Sequence, residues 1–281
     1  MGIISKSMIE QWILPHLTIG KRGFETTVPL TEIVACILYR LKTGCQWREL
    51  PTSAFFTDKI LSWNSVFYYY NKWSKAGCWK QIWLHMLKSN LQYLDLSSVE
   101  FDGSHTPAKN GGDATGYQGR KACKTTNALF ISDSQGVMLA MSTPQEGQHH
   151  DLFQIQTLFE EICTLLKEAG IKLEGLFLNA DPGFDSQDFR QACQKEEIIA
   201  NVKDNPRNSV NAANEPYQSG THIFDDKLYQ DRSVIEHANA WMDGFKALLI
   251  RFEFTVRNWM SLHFIAFLVI FLRKINRKLK V

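Results

Sequence analysis

The sequence lacks the cysteine spacings that build small metal-binding or redox domains. Its six cysteines are scattered along the chain, and no two of them stand in a C-x-x-C pair, so neither a zinc knuckle nor a redox dithiol is indicated. Proline and glycine are also sparse, at 8 and 17 of 281 residues, whereas 44% of the residues are hydrophobic. This composition excludes a collagen-like or mostly disordered chain and is typical of a globular protein with a buried core.

Long hydrophobic runs are missing as well. The longest apolar stretch, Trp259 to Leu272, has 14 residues and includes Ser261 and His263, whereas a membrane span needs roughly 20. We therefore predict a buried helix here and no membrane partner. The N-terminus also lacks the basic-then-apolar order of a signal peptide, so we expect a protein of the reducing cytoplasm.

A strong net charge is absent, at +2, but the charges are unevenly distributed. Residues 1–100 hold 11 basic and 7 acidic side chains, residues 101–200 hold 8 and 14, and residues 201–281 hold 12 and 8. An acidic centre between basic ends fits metal-binding carboxylates flanked by surfaces for a polyanion. Chance segregation of solvated charges fits the pattern equally well.

The chain is long enough for one large domain or for two domains of about 100 to 200 residues each. In the first domain, predicted at residues 1–95, the hydrophobic spacing predicts helices at 8–17, 31–43, 60–73 and 79–91. Thr31 is placed to cap the second helix and Gly44 to end it. Short helices joined by tight turns favour either a helix-turn-helix or a plain helical bundle.

The pattern changes at residue 96, where the second predicted domain, 96–281, begins. Strands are predicted at 98–101, 126–132, 137–143, 173–180 and 198–202, helices at 152–169, 186–196 and from 228 to a basic C-terminal tail, and a loop or insertion at 204–226. This order of elements indicates an α/β or α+β domain with a mixed sheet.

Two carboxylates stand directly after predicted strands, Asp102 in "SVEFDGS" and Asp181 in "LFLNADPGF". The carboxyl end of a strand suits a catalytic group, because the sheet fixes its position while the side chain faces solvent. Carboxylates hold hard cations such as Mg²⁺, and a metal pair can drive in-line phosphoryl displacement. Glu236, on a predicted helix one turn after Arg232, is the candidate third acid. Each acid taken alone is more typical of a turn, a cap or a solvated helix face.

Five ordered blocks cover nearly the whole chain: "ILYRLKTGCQWRELP", "FDGSHTPAKNGG", "ISDSQGVMLAMSTPQEGQHHD", "LNADPGFDS" and "DRSVIEHANAWMDGFKALLIRFEFTVRNW". In this order and spacing they resemble the bacterial insertion-sequence transposases of the DDE class. The best match is the branch of short, single-frame enzymes with an N-terminal helical "GCQWRELP" domain. The resemblance implies an α/β fold class, with a ribonuclease-H-like catalytic core and mixed sheet preceded by an all-α DNA-binding domain.

The resemblance also implies a reaction. Carried over by position, Asp102, Asp181 and Glu236 are the catalytic residues and the ligands of two Mg²⁺ ions, with Mn²⁺ as a substitute. Such enzymes hydrolyse a DNA phosphodiester, and the freed 3′-hydroxyl attacks target DNA. The implied partners are double-stranded DNA, as terminal inverted repeats and target, and further copies of the chain in a homodimer or larger oligomer on DNA. The implied location is the bacterial cytoplasm, at the nucleoid when bound to DNA.

Basic residues around these acids are candidate DNA contacts. The resemblance implies that the Arg one turn before the Glu faces phosphate, and the basic residues after the first Asp could grip the DNA backbone. A solvated loop is the alternative for the latter group. The candidates are Arg232, Lys109, Arg120, Lys121, Lys124, Arg48 and Lys72.

Three positions depart from the family's pattern. A Lys often follows the second Asp, and here it is Pro182; the usual Arg after the Glu is His237; and a basic residue seven positions beyond the Glu is Asp243. The often Arg-rich helix after "GCQWRELP" has only Lys72 as a basic residue. Each lost phosphate contact lowers DNA affinity and its dependence on salt.

Histidines and aromatic residues carry weaker signals. His149, His150 and Asp151 resemble a metal cluster by composition, but their place before a helix favours Asp151 as the N-cap and the histidines as loop residues. His105 is interpreted as a loop residue, with a hydrogen-bonding role at the site as the alternative. The aromatic run Phe67–Tyr70 could stack on bases, although its helical spacing favours a place in the core.

The sequence thus predicts a DDE transposase, and other functions stay open. A metal-dependent nuclease without strand transfer shares every catalytic residue and differs only in its products. A decayed transposase would bind DNA without metal-dependent cleavage. A glycosidase with two carboxylates is more distant, because its aromatic sugar platform cannot be told from core aromatic residues.

Overall fold

The computed structural model describes residues 4–18, 26–205 and 224–278 of the chain. They belong to two units, each with its own contacts. The first unit comprises Met1–Ser89, Thr106–Thr115 and Ala240–Val281, and the second comprises Asn90–His105 and Gly116–Asn239. These units differ from the predicted ranges 1–95 and 96–281, because residues 240–281 group with the N-terminal helices. The predicted loop at 204–226 lies largely outside the described residues.

Among the described residues, helices predominate toward both ends of the chain, and the strands lie between them. The helices are α1 (Lys6–Trp12), α2 (Leu30–Thr43), α3 (Trp63–Lys75), α4 (Cys78–Ser89), α5 (Ile155–Glu168), α6 (Gln187–Lys195), α7 (Asp226–Tyr229), α8 (Val234–Asp243), α9 (Lys246–Leu249) and α10 (Val256–Lys278). The strands are β1 (Val99–Pro107), β2 (Gly116–Gln118), β3 (Cys123–Asp133), β4 (Met138–Met141), β5 (Gln145–Glu146), β6 (Phe177–Ala180) and β7 (Ile199–Val202).

The first unit has an aromatic and aliphatic core centred on α10. Trp83 of α4 is fully buried, and its ring lies 5.7 Å from the rings of both Phe267 and Phe271. Within the described chain, the stretch of α10 from Val256 to Asn276 is the one that is long and apolar enough to cross a membrane. Because 78% of its most apolar window is buried inside the protein, the helix fits the core of a globular unit, as the buried helix predicted from Trp259 to Leu272 requires.

The ends of the early helices show which capping predictions are correct. The C-cap of α2 is Gly44, with a φ of 67°, as the sequence predicts for a left-handed helix end. The prediction that Thr31 caps this helix is wrong. The N-cap is Pro29, and Thr31 is buried in the first turn. Proline can precede a helix because its fixed φ suits the entry and the missing N–H would have no helical partner.

The second unit is built on a mixed sheet. Strands β1, β6 and β7 are parallel neighbours in that order, and β3 lies on the other side of β1 and pairs antiparallel with β4. This core order, β4-β3-β1-β6-β7, is that of a ribonuclease-H-like sheet and confirms the predicted fold class. The short strands β2 and β5, which the sequence did not predict, also pair with β3.

The two faces of this sheet differ in chemistry. Phe101 of β1 packs on one face against Phe159, Phe184 and Phe189, with ring centroids 5.0 to 5.5 Å away. Successive side chains of a strand point to opposite faces. Asp102 therefore points away from this aromatic cluster, and we call the face that it occupies the aspartate face.

Candidate functional site

Two predicted acids meet at one edge of the sheet. The register pairs Phe101 of β1 with Ala180 of β6 in a parallel arrangement, so Asp102 on β1 and Asp181, which directly follows β6, come next along two neighbouring strands. Both are half-buried. The carboxyl edge of parallel strands is where α/β sheets place their ligands. The structure therefore brings two of the three predicted acids together.

The electrostatic environment of Asp102 reflects this proximity. Its pKa is raised to about 7, chiefly by burial, and the charges of Asp181 and Asp151 add to the rise. The N–H of Gly103, which donates to Asp102 Oδ1 at 2.8 Å, and the charge of Arg232 act in the opposite direction. A carboxylate that is both buried and close to like charges is stabilised in its ionised form by a cation.

Asp181 is held by its own loop. It caps the short 3-10 turn Pro182–Phe184, and its Oδ1 accepts a hydrogen bond from the N–H of Gly183 at 2.8 Å. Pro182 occupies the first position of that turn, where no backbone donor is needed. Pro182 stands where the transposases that the sequence resembles often have a Lys. The proline leaves the backbone around Asp181 intact but supplies no positive charge.

Asp151, which the sequence pattern favoured as a helix cap over a metal ligand, acts on Asp102 in the structure. It was predicted to cap α5, and this is wrong, because the N-cap is Gln154 in a left-handed conformation. Asp151 instead accepts a hydrogen bond from Asn127 Nδ2 at 2.8 Å and contributes to the field at Asp102. Gly103 makes room for it, since a Cβ there would lie 2.3 Å from Asp151 Oδ1. The run "GQHHD" was the available signal.

His105 lies on β1, so its interpretation as a loop residue is wrong. Its Nδ1 is 3.2 Å from Thr125 Oγ1, and its Nε2 is 3.9 Å from Asp151 Oδ1. The pKa of His105 is lowered, chiefly by burial, with Lys121 and Arg120 adding to the effect and Asp151 opposing it. A neutral imidazole beside the acidic group is the expected state near neutral pH.

Glu236 lies on the first turn of α8 and is more exposed than the two aspartates. Its Oε1 is 3.2 Å from Arg232 Nη2, and 59% of its side-chain surface is exposed. Among the described residues, no group of three His, Cys, Asp or Glu side chains is close enough together to hold a metal ion. In the described structure Arg232 interacts with both acids. It forms an ion pair with Glu236, and its charge lowers the pKa of Asp102.

The side chains present fit a divalent cation in part. Asp102 and Asp181 supply the oxygen donors that hard divalent ions prefer. Burial and the charges of Asp181 and Asp151 raise the pKa of Asp102, so a bound cation would stabilise its ionised form. Two carboxylates plus phosphate and water are a sufficient set for Mg²⁺, which keeps several waters when bound.

The predicted DNA contacts are mostly accessible. In the second unit, Arg120 and Lys121 lie in a 3-10 turn and Lys124 follows on β3, all exposed. Lys121 Nζ also donates a hydrogen bond to the carbonyl of His105. Arg232 is half-buried beside Glu236.

The first unit contains the other three candidates. Lys109 is exposed, and its backbone N–H donates to the carbonyl of Arg251 at 3.0 Å. Arg48 is exposed, with its guanidinium 5.7 Å from the ring of Trp63, and Lys72 is half-buried on α3.

Most of the residues with weaker sequence signals have structural contacts. The ring of His149 stacks on Phe153 with centroids 3.6 Å apart, and His150 Nδ1 accepts from the N–H of Leu152, so both histidines are loop residues as predicted. Within the aromatic run, Tyr70 is fully buried, but Tyr68 is 61% exposed. The core interpretation thus holds for part of the run.

Most of the chain matches models of known protein families. Residues 97–270 match the family model "DDE superfamily endonuclease", which is more than half of the sequence. Residues 8–83 match DUF4096, a model that describes transposases of the IS4/5 family. The two matches follow one another along the chain in the order of the helical segment and the sheet.

Other comparisons add little. A search of curated proteins finds no match. Among solved structures, "Mos1 transposase paired-end complex with left transposon end" is similar at 12% identity and covers 92% of this chain and 82% of that chain, with a TM-score of 0.28. A likeness of this size supports no further conclusion.

Proposed function

Because the chain belongs to the DDE superfamily of endonucleases, we propose that it cuts DNA at the terminal inverted repeats of an insertion sequence and joins the freed 3′ ends to target DNA. The observation that carries the proposal is that Asp102 and Asp181 directly follow the paired residues Phe101 and Ala180 at the carboxyl edge of the parallel strands, and that the charge of Asp181 acts on Asp102. The match of residues 8–83 to IS4/5-family transposases favours strand transfer over simple hydrolysis.

Endonucleases of this superfamily use divalent metal ions, and we propose Mg²⁺ for this chain. Asp102 and Asp181 would hold it, and Glu236 would be the third ligand. When bound, such an ion polarises phosphate and lowers the pKa of water. The protein's own residues fix the acids: β1 places Asp102, and the 3-10 turn places Asp181.

The basic residues would position DNA around these acids. Arg120, Lys121 and Lys124 are exposed on the unit that carries the two aspartates, and each can contact a phosphate without reading sequence. Arg232 would turn from Glu236 toward the scissile phosphate, since a guanidinium forms bidentate bonds to phosphate oxygens. Glu236 would then be free to join the other acids.

The test uses purified protein and a plasmid that carries the DNA flanking the reading frame, with Mg²⁺, with Mn²⁺ or with neither. We expect metal-dependent cuts at the repeat ends and joined products. Asp102→Asn, Asp181→Asn and Glu236→Gln should each lower cleavage at least about a hundredfold, because a metal ligand or charge is lost from the reacting centre. Lys172→Ala, an exposed residue paired with Glu174, is the matched control.

The products decide between the possible functions. Cut ends without joined products would favour a metal-dependent nuclease, and binding without any cutting would identify a DNA-binding protein that has lost catalysis. Retained cleavage in all three carboxylate variants would overturn the proposal. Transposition must bring two DNA ends together, so we propose a homodimer or larger oligomer assembled on DNA, in the bacterial cytoplasm and at the nucleoid.

A further inference from the structure

Three fully buried polar side chains lie side by side across the parallel strands. The register pairs Glu100 of β1 with Asn179 of β6, and Asn179 with Asn201 of β7. Each of the three is 0% exposed. Apolar residues usually fill such positions in parallel strands, and buried polar groups destabilise a fold unless they are hydrogen-bonded. A row of three therefore points to a specific structural task.

Hydrogen bonds connect the members of this row to one another. Asn201 Nδ2 donates to Asn179 Oδ1 at 2.7 Å, and Asn179 Nδ2 donates to Glu100 Oε1 at 3.1 Å. Glu100 Oε1 also accepts from the hydroxyl of Ser98 at 2.7 Å. The direction of each amide is thus fixed by its neighbour.

The remaining bonds of the two asparagines all reach one segment, residues 225–228. Asn201 bonds the backbone of Asp225 twice, donating to its carbonyl at 3.0 Å and accepting from its N–H at 2.8 Å. Asn179 donates to the carbonyl of Leu228 at 2.8 Å. Every N–H and carbonyl of the two side-chain amides is used.

This segment leads directly to the third acid. Asp225 is the N-cap of α7, and its Oδ1 accepts from the N–H groups of Lys227 and Leu228. The chain then continues through a 3-10 turn at Gln230–Ser233 into α8, where Glu236 lies. A segment fixed at 225–228 therefore sets where this helical run begins.

The row also lies on the aspartate face. Glu100 and Asp102 are two residues apart on β1, and Asn179 of β6 lies two residues before Asp181, which directly follows the strand in an extended conformation. Residues separated by two on a strand share a face. The two amides therefore hold residues 225–228 against the face that carries the two acids. Glu100 and Asn179 lie two residues before the acids along the chain.

We propose that Asn179 and Asn201 are positioning residues that hold residues 225–228 on the aspartate face, and so set the helical run that carries Arg232 and Glu236. The proposal deepens the proposed function and rests on it for its catalytic consequence. Apolar side chains of similar size would fill the space but would leave the backbone groups of Asp225 and Leu228 unpaired, so the segment would lose its fixed position.

The structural half of this proposal is tested by hydrogen exchange on the full chain without DNA. Asn201→Ala should raise amide exchange at residues 225–236 about tenfold or more, because two hydrogen bonds to that segment are lost. Exchange in β1 and β6 should stay close to that of the unmodified protein. Asn201→Ser, which keeps a small polar side chain, is measured in the same way and replaces the alanine variant where that one does not fold.

Asn127→Ala is the matched control. Asn127 is also an asparagine buried in this sheet, but it bonds His149 and Asp151. Its loss should raise exchange around residues 149–151 and leave residues 225–236 unchanged. An exchange profile for Asn201→Ala that is unchanged, or raised across the whole sheet, would overturn the proposal.

The catalytic half is tested by single-turnover cleavage and by DNA affinity. Asn201→Ala should slow cleavage about 10- to 100-fold, the range expected when a reacting group is misplaced, with a much smaller change in the Kd for DNA, because Arg232 is one of several proposed phosphate contacts. A confined rise in exchange with an unchanged cleavage rate would show that the segment does not position the acids, and would reject the proposal. If the unmodified protein cuts no DNA, the proposed function fails, and the exchange result alone decides whether the amides hold the segment.

Discussion

At the scale of single residues, the acidic site depends on space as well as charge. The charges of Asp151 and Asp181 both raise the pKa of Asp102, and Asp151 can approach because residue 103 has no side chain. The identity of residue 103 is therefore part of the site, although glycine carries no chemistry of its own.

We expect Gly103→Ala to displace Asp151, because the new Cβ would lie 2.3 Å from its Oδ1. Forced overpacking of this kind costs about 1 to 3 kcal/mol, and the free energy of unfolding in urea should fall by that amount, together with the cleavage rate. Gly119→Ala, whose Cβ would meet nothing within 4 Å, is the control. Equal stability and activity in the two variants would contradict the packing that we describe.

At the scale of elements, α10 combines an apolar core helix with a buried titratable group. His263 lies about two turns from its N-terminal end, its Nδ1 is 3.0 Å from the carbonyl of Trp259, and it is 3% exposed. Its pKa is lowered to about 4, chiefly by burial, with the hydrogen bond to Trp259 opposing the shift and the charge of Arg251 adding to it. The helix thus contains a neutral histidine that resists protonation.

This histidine should make stability fall in mild acid. Its folded pKa lies below the ordinary 6.5, so the unfolded chain binds the proton more readily. The contribution is fully present above pH 6.5 and is lost as the pH falls toward 4. Between pH 7 and pH 5 the unmodified protein should lose about 2 kcal/mol more unfolding free energy than His263→Gln. Identical losses in urea titrations at the two pH values would refute this assignment.

The predictability of the elements follows from the range of the forces that form them. The helix after Ser186 and the end of α2 at Gly44 could be predicted, because capping and left-handed φ are local properties. The pairing of β2 and of β5 with β3 could not be predicted, because strands of two or three residues form only where a distant partner supplies hydrogen bonds. Asp151 was misassigned for the same reason, because Asn127 is its partner across the sheet.

At the scale of the whole molecule, function depends on charge of both signs. The family match and the two aspartates were within reach of the sequence, because the motifs are contiguous in the chain. The sequence could not predict whether Glu236 lies beside these aspartates, because in the described structure Glu236 forms an ion pair with Arg232. The basic residues are the counterpart of the acids and should govern affinity for DNA.

Replacement of Arg120, Lys121 and Lys124 by alanine should weaken DNA binding in a salt-dependent way. Each phosphate contact contributes about 0.9 to the slope of log K against log salt concentration, so the triple variant should lose about 3 from the slope. Fluorescence anisotropy from 50 to 200 mM salt measures it. A slope equal to that of the control Lys172→Ala would rule these residues out as phosphate contacts.

The most direct test of the central claim, that Asp181 binds the metal ion used in DNA cleavage, is a change of metal preference. In Asp181→Cys a soft thiolate replaces a hard carboxylate, and a thiolate binds Mn²⁺ better than Mg²⁺. We predict that the ratio of cleavage rates in Mn²⁺ and in Mg²⁺ rises at least about tenfold in this variant, with little activity left in Mg²⁺. A variant that cuts DNA with the same metal ratio as the unmodified protein would contradict it.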